Sequence, residues 1–254
     1  ENGYETGIFG KWHLGDSYPY RPEDRGFSEV VVHGGGGISQ TPDYWGNDYF
    51  DDTYRVNGEY QQFKGYCTDV FFDEAKKFIR KNKENPFFCY IATNAPHAPY
   101  NVETKYADLY RGKVMERRAR FYGMITNIDE NFGKLRQLLK EGGLEENTIL
   151  IFMTDNGSSC AISCDEQGNI IEGYNAGLRG TKGSPYDGGH RVPFFIRYPN
   201  GEIVGGKDYN ELTAYVDFMP TLLDFCDISY AEDAFHGISL KKAMEDTDTK
   251  LPAR

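Results

Sequence analysis

Length, composition and charge exclude several classes of protein. The chain has 254 residues, of which 39% are hydrophobic and 15% aromatic, so it can form a large core and is not disordered. A formal net charge of −11 argues against nucleic acid or an anionic membrane surface as a partner. No apolar run approaches the length of a transmembrane helix. We therefore predict a globular protein with no membrane span and no nucleic-acid partner.

The first residue and the cysteines indicate whether the chain is a fragment and whether it contains disulfides or a zinc site. It begins with Glu1 and reads there like the inside of a domain, so we expect a fragment of a longer protein. Five cysteines are too few and too scattered for a disulfide scaffold or a zinc site. Cys160 and Cys164 are close enough in sequence for a bridge, and two free thiols are the alternative.

The first predicted element is a short strand that ends in two basic side chains. Ile8 and Phe9 are typical strand residues. Residues i and i+2 of an extended chain point the same way, so Lys11 and His13 should project together, with Trp12 on the opposite side. An ammonium beside an imidazole suits an anionic oxygen or a proton transfer. A surface lysine and a structural histidine are the alternative.

Residues 16–64 are predicted to be irregular, because they contain three prolines and the glycine run 34–37. The glycine run is not a phosphate loop, since no Gly-Lys-Ser/Thr follows it. His33 precedes this run and has no partner that the sequence identifies. The acidic and aromatic stretch 43–52 predicts a packed loop rather than a metal site.

Two amphipathic helices are predicted next. The first covers residues 68–83, with Thr68 as N-cap. Its apolar face carries Phe71, Ala75, Phe78 and Ile79. The second covers residues 117–140 and ends at a Gly-Gly pair. The arginines on its early turns are expected to face solvent; they are Arg117, Arg118 and Arg120.

Two apolar runs predict strands that end in polar, chemically competent residues. The strand over 87–92 leads to His97, which flanking prolines hold in a stiff loop. The run 148–153 shows no alternation, which predicts a strand buried on both faces within a parallel sheet. Asp155 and Asn156 follow it, where α/β sheets bind ligands, and their oxygens suit Ca²⁺ or Mg²⁺. Asp-Asn-Gly is also a common turn sequence, and that alternative stays open on these residues alone.

The last third of the chain contains one unusual lysine. Lys182 lies between glycines in the polar stretch 173–189, so it could reach back over the sheet or belong to a surface turn. A strand over 192–197 and a helix over 218–226, capped by Asp217, precede an acidic tail that should be peripheral. Alternating strands and helices predict one α/β domain with three layers.

Five segments, in order, resemble signatures of the type I, formylglycine-dependent sulfatases of the alkaline-phosphatase-like superfamily. They are residues 10–15, 95–100, 155–157, 180–183 and 188–193. The resemblance covers nearly the whole chain. It implies an α/β/α sandwich with a mostly parallel mixed sheet. Residues 1–254 would be a partial catalytic domain that lacks its first strands and its small C-terminal domain.

The resemblance also implies catalytic and substrate-binding roles. Lys11 and Lys182 match the lysines that hold the sulfate. His13 matches the imidazole that hydrogen-bonds the hydrated nucleophile, and His97, with Lys182, matches the group that protonates the leaving alcohol. Ammonium groups stabilise the charge that develops on the sulfate oxygens, and a proton donor spares the leaving alkoxide.

The resemblance implies a cofactor and a modified nucleophile as well. Asp155 and Asn156 match two ligands of a calcium ion, with Mg²⁺ as the alternative. The nucleophile would be a formylglycine made from Cys or Ser in a Cys/Ser-x-Pro-x-Arg motif upstream of this chain. Residues 17–21 match that motif literally. We reject Ser17 because it follows His13 and precedes Pro-Glu-Asp rather than an apolar helix.

The expected function is a calcium-dependent sulfuric ester hydrolase that acts on a sulfated carbohydrate or aryl sulfate. The isolated chain should be inactive. A phosphodiesterase or phosphonate monoester hydrolase of the same superfamily and a non-catalytic fragment are the alternatives. The resemblance implies a periplasmic or secreted location. The sequence leaves open which ester is cleaved and the oligomeric state.

Overall fold

The computed structural model describes residues 2–203, 205–231, 233–246 and 248–252. They form two compact units: the larger contains Gly3–Gly142 and Asp155–Val192, and the smaller contains Gly143–Thr154 and the described residues from Pro193 onward. The strands are β1 (Glu5–Lys11), β2 (Glu29–His33), β3 (Thr53–Val56), β4 (Glu59–Gln62), β5 (Phe87–Ala92), β6 (Leu150–Met153), β7 (Ile162–Cys164), β8 (Ile170–Gly173) and β9 (Phe194–Arg197). The helices are α1 (Cys67–Lys81), α2 (Thr104–Asp108), α3 (Glu116–Glu141), α4 (Asp187–His190), α5 (Phe218–Phe225) and α6 (Lys241–Glu245).

The larger unit is built on a five-stranded mixed sheet in the order β4-β3-β2-β1-β5. β1 is parallel to both β2 and β5, whereas β3 and β4 run antiparallel. The register places Lys11 beside His33 and Gly10 beside Ala92. The carboxyl ends of β1, β2 and β5 therefore meet at one edge, where α/β sheets place their ligands.

Apolar packing on both faces of β1 holds this sheet together. On one face, Phe9 contacts Phe78 of α1 at a ring-centroid distance of 5.7 Å. On the other, Ile8 packs with valines of β2, and Trp12 covers them. Ile8 and Phe9 are both 0% exposed. Burial of each such side chain contributes about 1.5–3 kcal/mol, so β1 is the centre of the core.

Residues 16–64 contain three strands, so the prediction of an irregular segment was wrong. β2 contains three consecutive valines, but this apolar run is short because the glycine run follows at once, so the sequence indicated the strand only weakly. β3 and β4 form a hairpin closed by Asn57 and Gly58, whose φ angles are 50° and 94°. Asn-Gly is the preferred pair for such a two-residue turn, so the sequence did contain a usable signal.

The two long helices are confirmed, with two local corrections. α1 begins at Cys67 with Tyr66 at the N-cap position, and Thr68 is buried inside the helix instead of capping it. Arg118 in α3 is 3% exposed, not solvated. It forms an ion pair with Glu172 of β8 at 2.9 Å. The β7–β8 hairpin, which was not predicted, covers it.

The smaller unit differs from prediction in two contacts. β6 pairs antiparallel with β9, from Leu150 opposite Arg197 to Met153 opposite Phe194, and its side chains are half-buried. The predicted strand buried on both faces of a parallel sheet was therefore wrong. Asp217 precedes α5, but its carboxylate accepts hydrogen bonds from the amides of Ala214 and Ile238 at 2.8 and 3.0 Å. It joins two loops and does not cap α5.

Three further expectations concern membrane helices, the cysteines and the acidic tail. No helix within the described ranges combines the length and the apolar character that crossing a bilayer requires. Cys160 and Cys164 are free thiols, as are the other three cysteines. The acidic tail is not wholly peripheral, because Leu240 and Ala243 of the smaller unit are 5% and 1% exposed.

Candidate active site

Lys11 ends β1 at the edge where the parallel strands terminate. The preceding Gly10 allows the close approach of β5, since a Cβ atom there would lie 2.0 Å from the carbonyl oxygen of Ala92. Burial lowers the pKa of the half-buried Lys11, the positive charge of Lys182 lowers it further, and Asp155 opposes both. The structure thus brings two predicted sulfate-binding lysines and a predicted metal ligand within electrostatic range of one another.

His13 reaches this edge by a route that the sequence did not predict. β1 ends at Lys11, and His13 has a left-handed φ of 58°, so the extended geometry assumed for Lys11 and His13 was wrong. Its ring lies against the glycine run, because a Cβ atom at Gly36 would be 2.6 Å from Nε2 of His13. Any larger residue at position 36 would displace the imidazole. The glycine run therefore makes room for a predicted catalytic histidine.

His97 lies in the loop that follows β5, the parallel neighbour of β1. Its Nδ1 donates to the carbonyl oxygen of Ala98 at 2.9 Å, so Nε2 is the nitrogen that can accept a proton. The buried hydroxyl of Tyr49 lies 2.9 Å from the carbonyl oxygen of His97 and 2.8 Å from that of Ala98. Burial raises the pKa of Tyr49, so this hydroxyl stays a donor and holds the loop in place.

The Asp-Asn-Gly segment, residues 155–157, is joined through its backbone to residues 180–189, which we call the lysine loop because they contain Lys182. The amide of Gly157 donates to the carbonyl of Gly189 at 3.0 Å, and a Cβ atom at position 157 would lie 1.9 Å from the carbonyl oxygen of Gly188. The amide of Lys182 donates to the carbonyl of Ser158 at 2.9 Å. Lys182 lies in an exposed turn, as the surface-turn alternative predicted, and its backbone is anchored to Ser158, three residues after Asp155.

Asp155 and Asn156 provide only part of a metal site. Their carboxylate and amide oxygens are hard donors that Ca²⁺ prefers, and Ca²⁺ takes six to eight oxygens. Within the described parts of the chain, no three His, Cys, Asp or Glu side chains are grouped to hold a metal. The residues fit two positions of a calcium shell and require further ligands.

His33 and Asn94 are buried polar residues near the candidate site that the sequence analysis did not place there. His33 ends β2 beside Lys11, is 2% exposed, and its Nε2 has no hydrogen-bond partner among the described residues. Burial lowers its pKa, which favours the neutral ring. Asn94 follows β5 and accepts a hydrogen bond from the amide of Ile38. Both residues lie at or just after the carboxyl ends of parallel strands, and this position could have indicated that they belong to the site.

Ser17, the rejected nucleophile candidate, lies in an exposed turn, and its backbone carbonyl oxygen accepts a hydrogen bond from the amide of Tyr20 at 2.8 Å. Arg21, the arginine of the literal motif, is held by Asp24 through two contacts of 2.8 and 2.9 Å. Because two hydrogen bonds join the guanidinium to the carboxylate, Arg21 is engaged with Asp24 rather than with a substrate.

Comparison with known proteins identifies the relatives of this arrangement. A family model described as Sulfatase matches residues 1–228. An uncharacterised sulfatase of Escherichia coli strain K12 is 28% identical over 96% of this chain and 45% of its own length. The N-acetylgalactosamine-6-sulfatase of Canis lupus familiaris is 29% identical over 96% of this chain and 47% of its own.

A solved structure supports the same assignment. The crystal structure of Ps i-CgsB with k-i-k-neocarrahexaose has a TM-score of 0.83 and 28% identity, covering 95% of this chain and 55% of that one. This similarity confirms the predicted fold class. The chain spans about half the length of these relatives.

Proposed function

This chain belongs to the sulfatase family, and on that premise we propose that it forms part of an enzyme that hydrolyses sulfate esters of carbohydrates. The observation that carries the proposal is the convergence of Lys11, Lys182 and Asp155 at the carboxyl edge of the sheet. The positive charge of Lys182 acts on Lys11, and the carboxylate of Asp155 opposes this effect. A sulfate group would give both ammonium groups a further anionic partner, in a chain whose formal net charge is −11.

The two lysines would hold the sulfate and stabilise the negative charge that develops on its oxygens during cleavage. His13, seated against Gly36, would hydrogen-bond the nucleophile. His97 would protonate the departing alcohol through Nε2, because its Nδ1 is already engaged with a carbonyl. Each role uses a side chain placed by the end of β1 or β5 or by the lysine loop.

Asp155 and Asn156 would hold a calcium ion, with Mg²⁺ as the alternative. A bound divalent cation supplies additional positive charge to the sulfate oxygens. The remaining ligands would come from a segment outside these 254 residues, as would a formylglycine nucleophile. The relatives, about twice as long, are consistent with such a segment.

The relatives favour a carbohydrate substrate. One is named N-acetylgalactosamine-6-sulfatase, and the solved structure is a complex with k-i-k-neocarrahexaose. We therefore propose a sulfated glycan as the substrate, and a periplasmic or secreted location where such glycans are found. An arylsulfatase of Clostridium perfringens, 29% identical, makes nitrophenyl sulfate a suitable test substrate.

The direct test joins this chain to the segment that carries the nucleophile and compares nitrophenyl sulfate with nitrophenyl phosphate. The sulfate should be the better substrate. The Lys182→Ala change should lower kcat on the order of 10²–10³-fold, the loss expected for one charge-stabilising donor. Ser17→Ala is the control and should leave kcat unchanged. Preference for phosphate, or a change in KM alone for Lys182→Ala, would refute the proposed roles.

The same assay on the 254-residue chain tests the assignment of the nucleophile. The chain alone should bind calcium weakly and show no turnover, since two oxygen ligands poorly replace the hydration shell of the ion. Metal-dependent turnover by this chain would refute an external nucleophile and return Ser17 to consideration.

A further inference from the structure

Three aromatic side chains are exposed on the segment 44–60, which follows the glycine run. Trp45 is 96% exposed, Tyr60 of β4 is 60% exposed and Tyr44 is 44% exposed. The rings of Tyr44 and Tyr60 are 5.0 Å apart. We call these three residues the aromatic platform. Large apolar rings rarely remain so exposed, and contiguous exposed patches commonly mark binding sites.

The turn that carries Trp45 is held rigidly. The amide of Asn47 donates to the carbonyl of Tyr44 at 3.2 Å, which closes the turn around Trp45. Asn47 is 5% exposed and bonds both the amide and the carbonyl of Thr53 in β3, at 2.8 and 2.9 Å. The backbone beneath Trp45 is therefore fixed before any ligand arrives, which lowers the entropy cost of binding.

Hydrogen bonds connect this turn to the wall of the active site. The amide group of Asn47 donates to Asp43 at 3.1 Å, and Asp43 accepts a hydrogen bond from the amide of Gly34 at 3.0 Å. Gly34 begins the glycine run, and Gly36 of the same run lies against the ring of His13. The aromatic platform and the catalytic histidine thus border one continuous segment.

We propose that the aromatic platform binds a sugar ring of the substrate glycan, at a position separate from the sulfate ester. This inference rests on the proposed function. An aromatic face carries partial negative charge and attracts the weakly positive C–H groups on the face of a sugar ring. The carboxylate of Asp43 accepts a hydrogen bond from Asn47 of this turn, and that of Asp48 lies shortly after it, so these acidic groups favour an uncharged sugar face here and leave the sulfate group to the lysines. A neutral ring fits this surface.

The test measures binding of two hexasaccharides to the 254-residue chain by calorimetry: neocarrahexaose, which is sulfated, and neoagarohexaose, which is not. Trp45→Ala should weaken binding of both about tenfold, because covering about 60 Å² of ring at about 25 cal/mol per Å² corresponds to that change. Trp45→Phe should restore part of the loss. Leu109→Ala, a 50%-exposed apolar residue in the turn after α2, is the matched control and should change neither affinity.

A second readout is the fluorescence of Trp45, one of two tryptophans in the chain. Its emission should shift to shorter wavelength on binding, with protection from iodide quenching. Lys11→Ala separates the two proposals: it should weaken neocarrahexaose only. If Lys11→Ala has no effect but Trp45→Ala does, the sulfate site fails and the platform stands. Equal affinities of Trp45→Ala and the unaltered chain would overturn the platform. If the unaltered chain forms dimers and Trp45→Ala does not, the aromatic residues bind a second copy of the chain, and the platform is likewise overturned.

Discussion

β1 and β6 are both apolar strands followed by predicted site residues, yet their surroundings differ. β1 lies between two parallel neighbours, and its central residues Ile8 and Phe9 are 0% exposed. β6 has one antiparallel partner, β9, whose Phe195 is 65% exposed. An apolar run therefore predicts a strand but not what covers it, because burial depends on elements remote in sequence.

The largest expected effect tests this difference in burial directly. Phe9→Ala should lower the free energy of unfolding of the larger unit by about 3–5 kcal/mol, since it empties a packed site against Phe78. Phe195→Ala in β9 should cost much less, because that ring is mostly solvated. Urea unfolding of both variants provides the measurement. Similar losses in the two variants would show that the two strands are equally important to the core.

A smaller effect concerns the close approach of β1 to β5. Gly10→Ala should destabilise the chain by about 1–3 kcal/mol, since its Cβ atom would meet the carbonyl oxygen of Ala92 at 2.0 Å and its φ is +120°. Gly133→Ala in α3 is the control: nothing lies within 4 Å of the new Cβ atom. That change should stabilise α3 by about 0.5–1 kcal/mol. Thermal unfolding would distinguish them, and a neutral Gly10→Ala would contradict the packing of β1 on β5.

The smallest expected effect is a change in the pKa of Lys11 at the end of β1. Lys182→Met should raise the pKa of Lys11, and Asp155→Asn should lower it, because each removes one charge that acts on the ammonium. The pKa should stay below 10.5 in Lys182→Met, since burial is the larger cause. Nitrogen-detected NMR titration of the lysine Nζ groups measures these shifts. If the pKa of Lys11 is the same in both variants, neither Lys182 nor Asp155 acts on its ammonium group.

The depressed pKa of Lys11 also has a consequence for stability. Between that lowered value and the ordinary 10.5, the unfolded chain binds more protons than the folded chain. The contribution of Lys11 to the free energy of unfolding therefore rises with pH across this window. Lys11→Met should flatten that rise in urea titrations.

Local sequence patterns determined several elements and are the source of the predicted site residues. The apolar spacing of α1 and α3, the strand β5 after Pro86 and the hairpin pair Asn57-Gly58 all depend on residues a few positions apart. The predicted site residues lie in short motifs of the same kind. Such features arise from backbone preferences and nearest-neighbour packing, which a linear sequence displays directly.

Only the tertiary structure decided where those side chains lie and what surrounds them. His13 sits against Gly36, Lys182 is anchored to Ser158, and Arg118 is buried beneath an unpredicted hairpin. The partner of β6 and the hydrogen bonds of Asp217 likewise come from distant segments. Each outcome depends on contacts between residues far apart in the chain, and periodicity carries no information about those contacts.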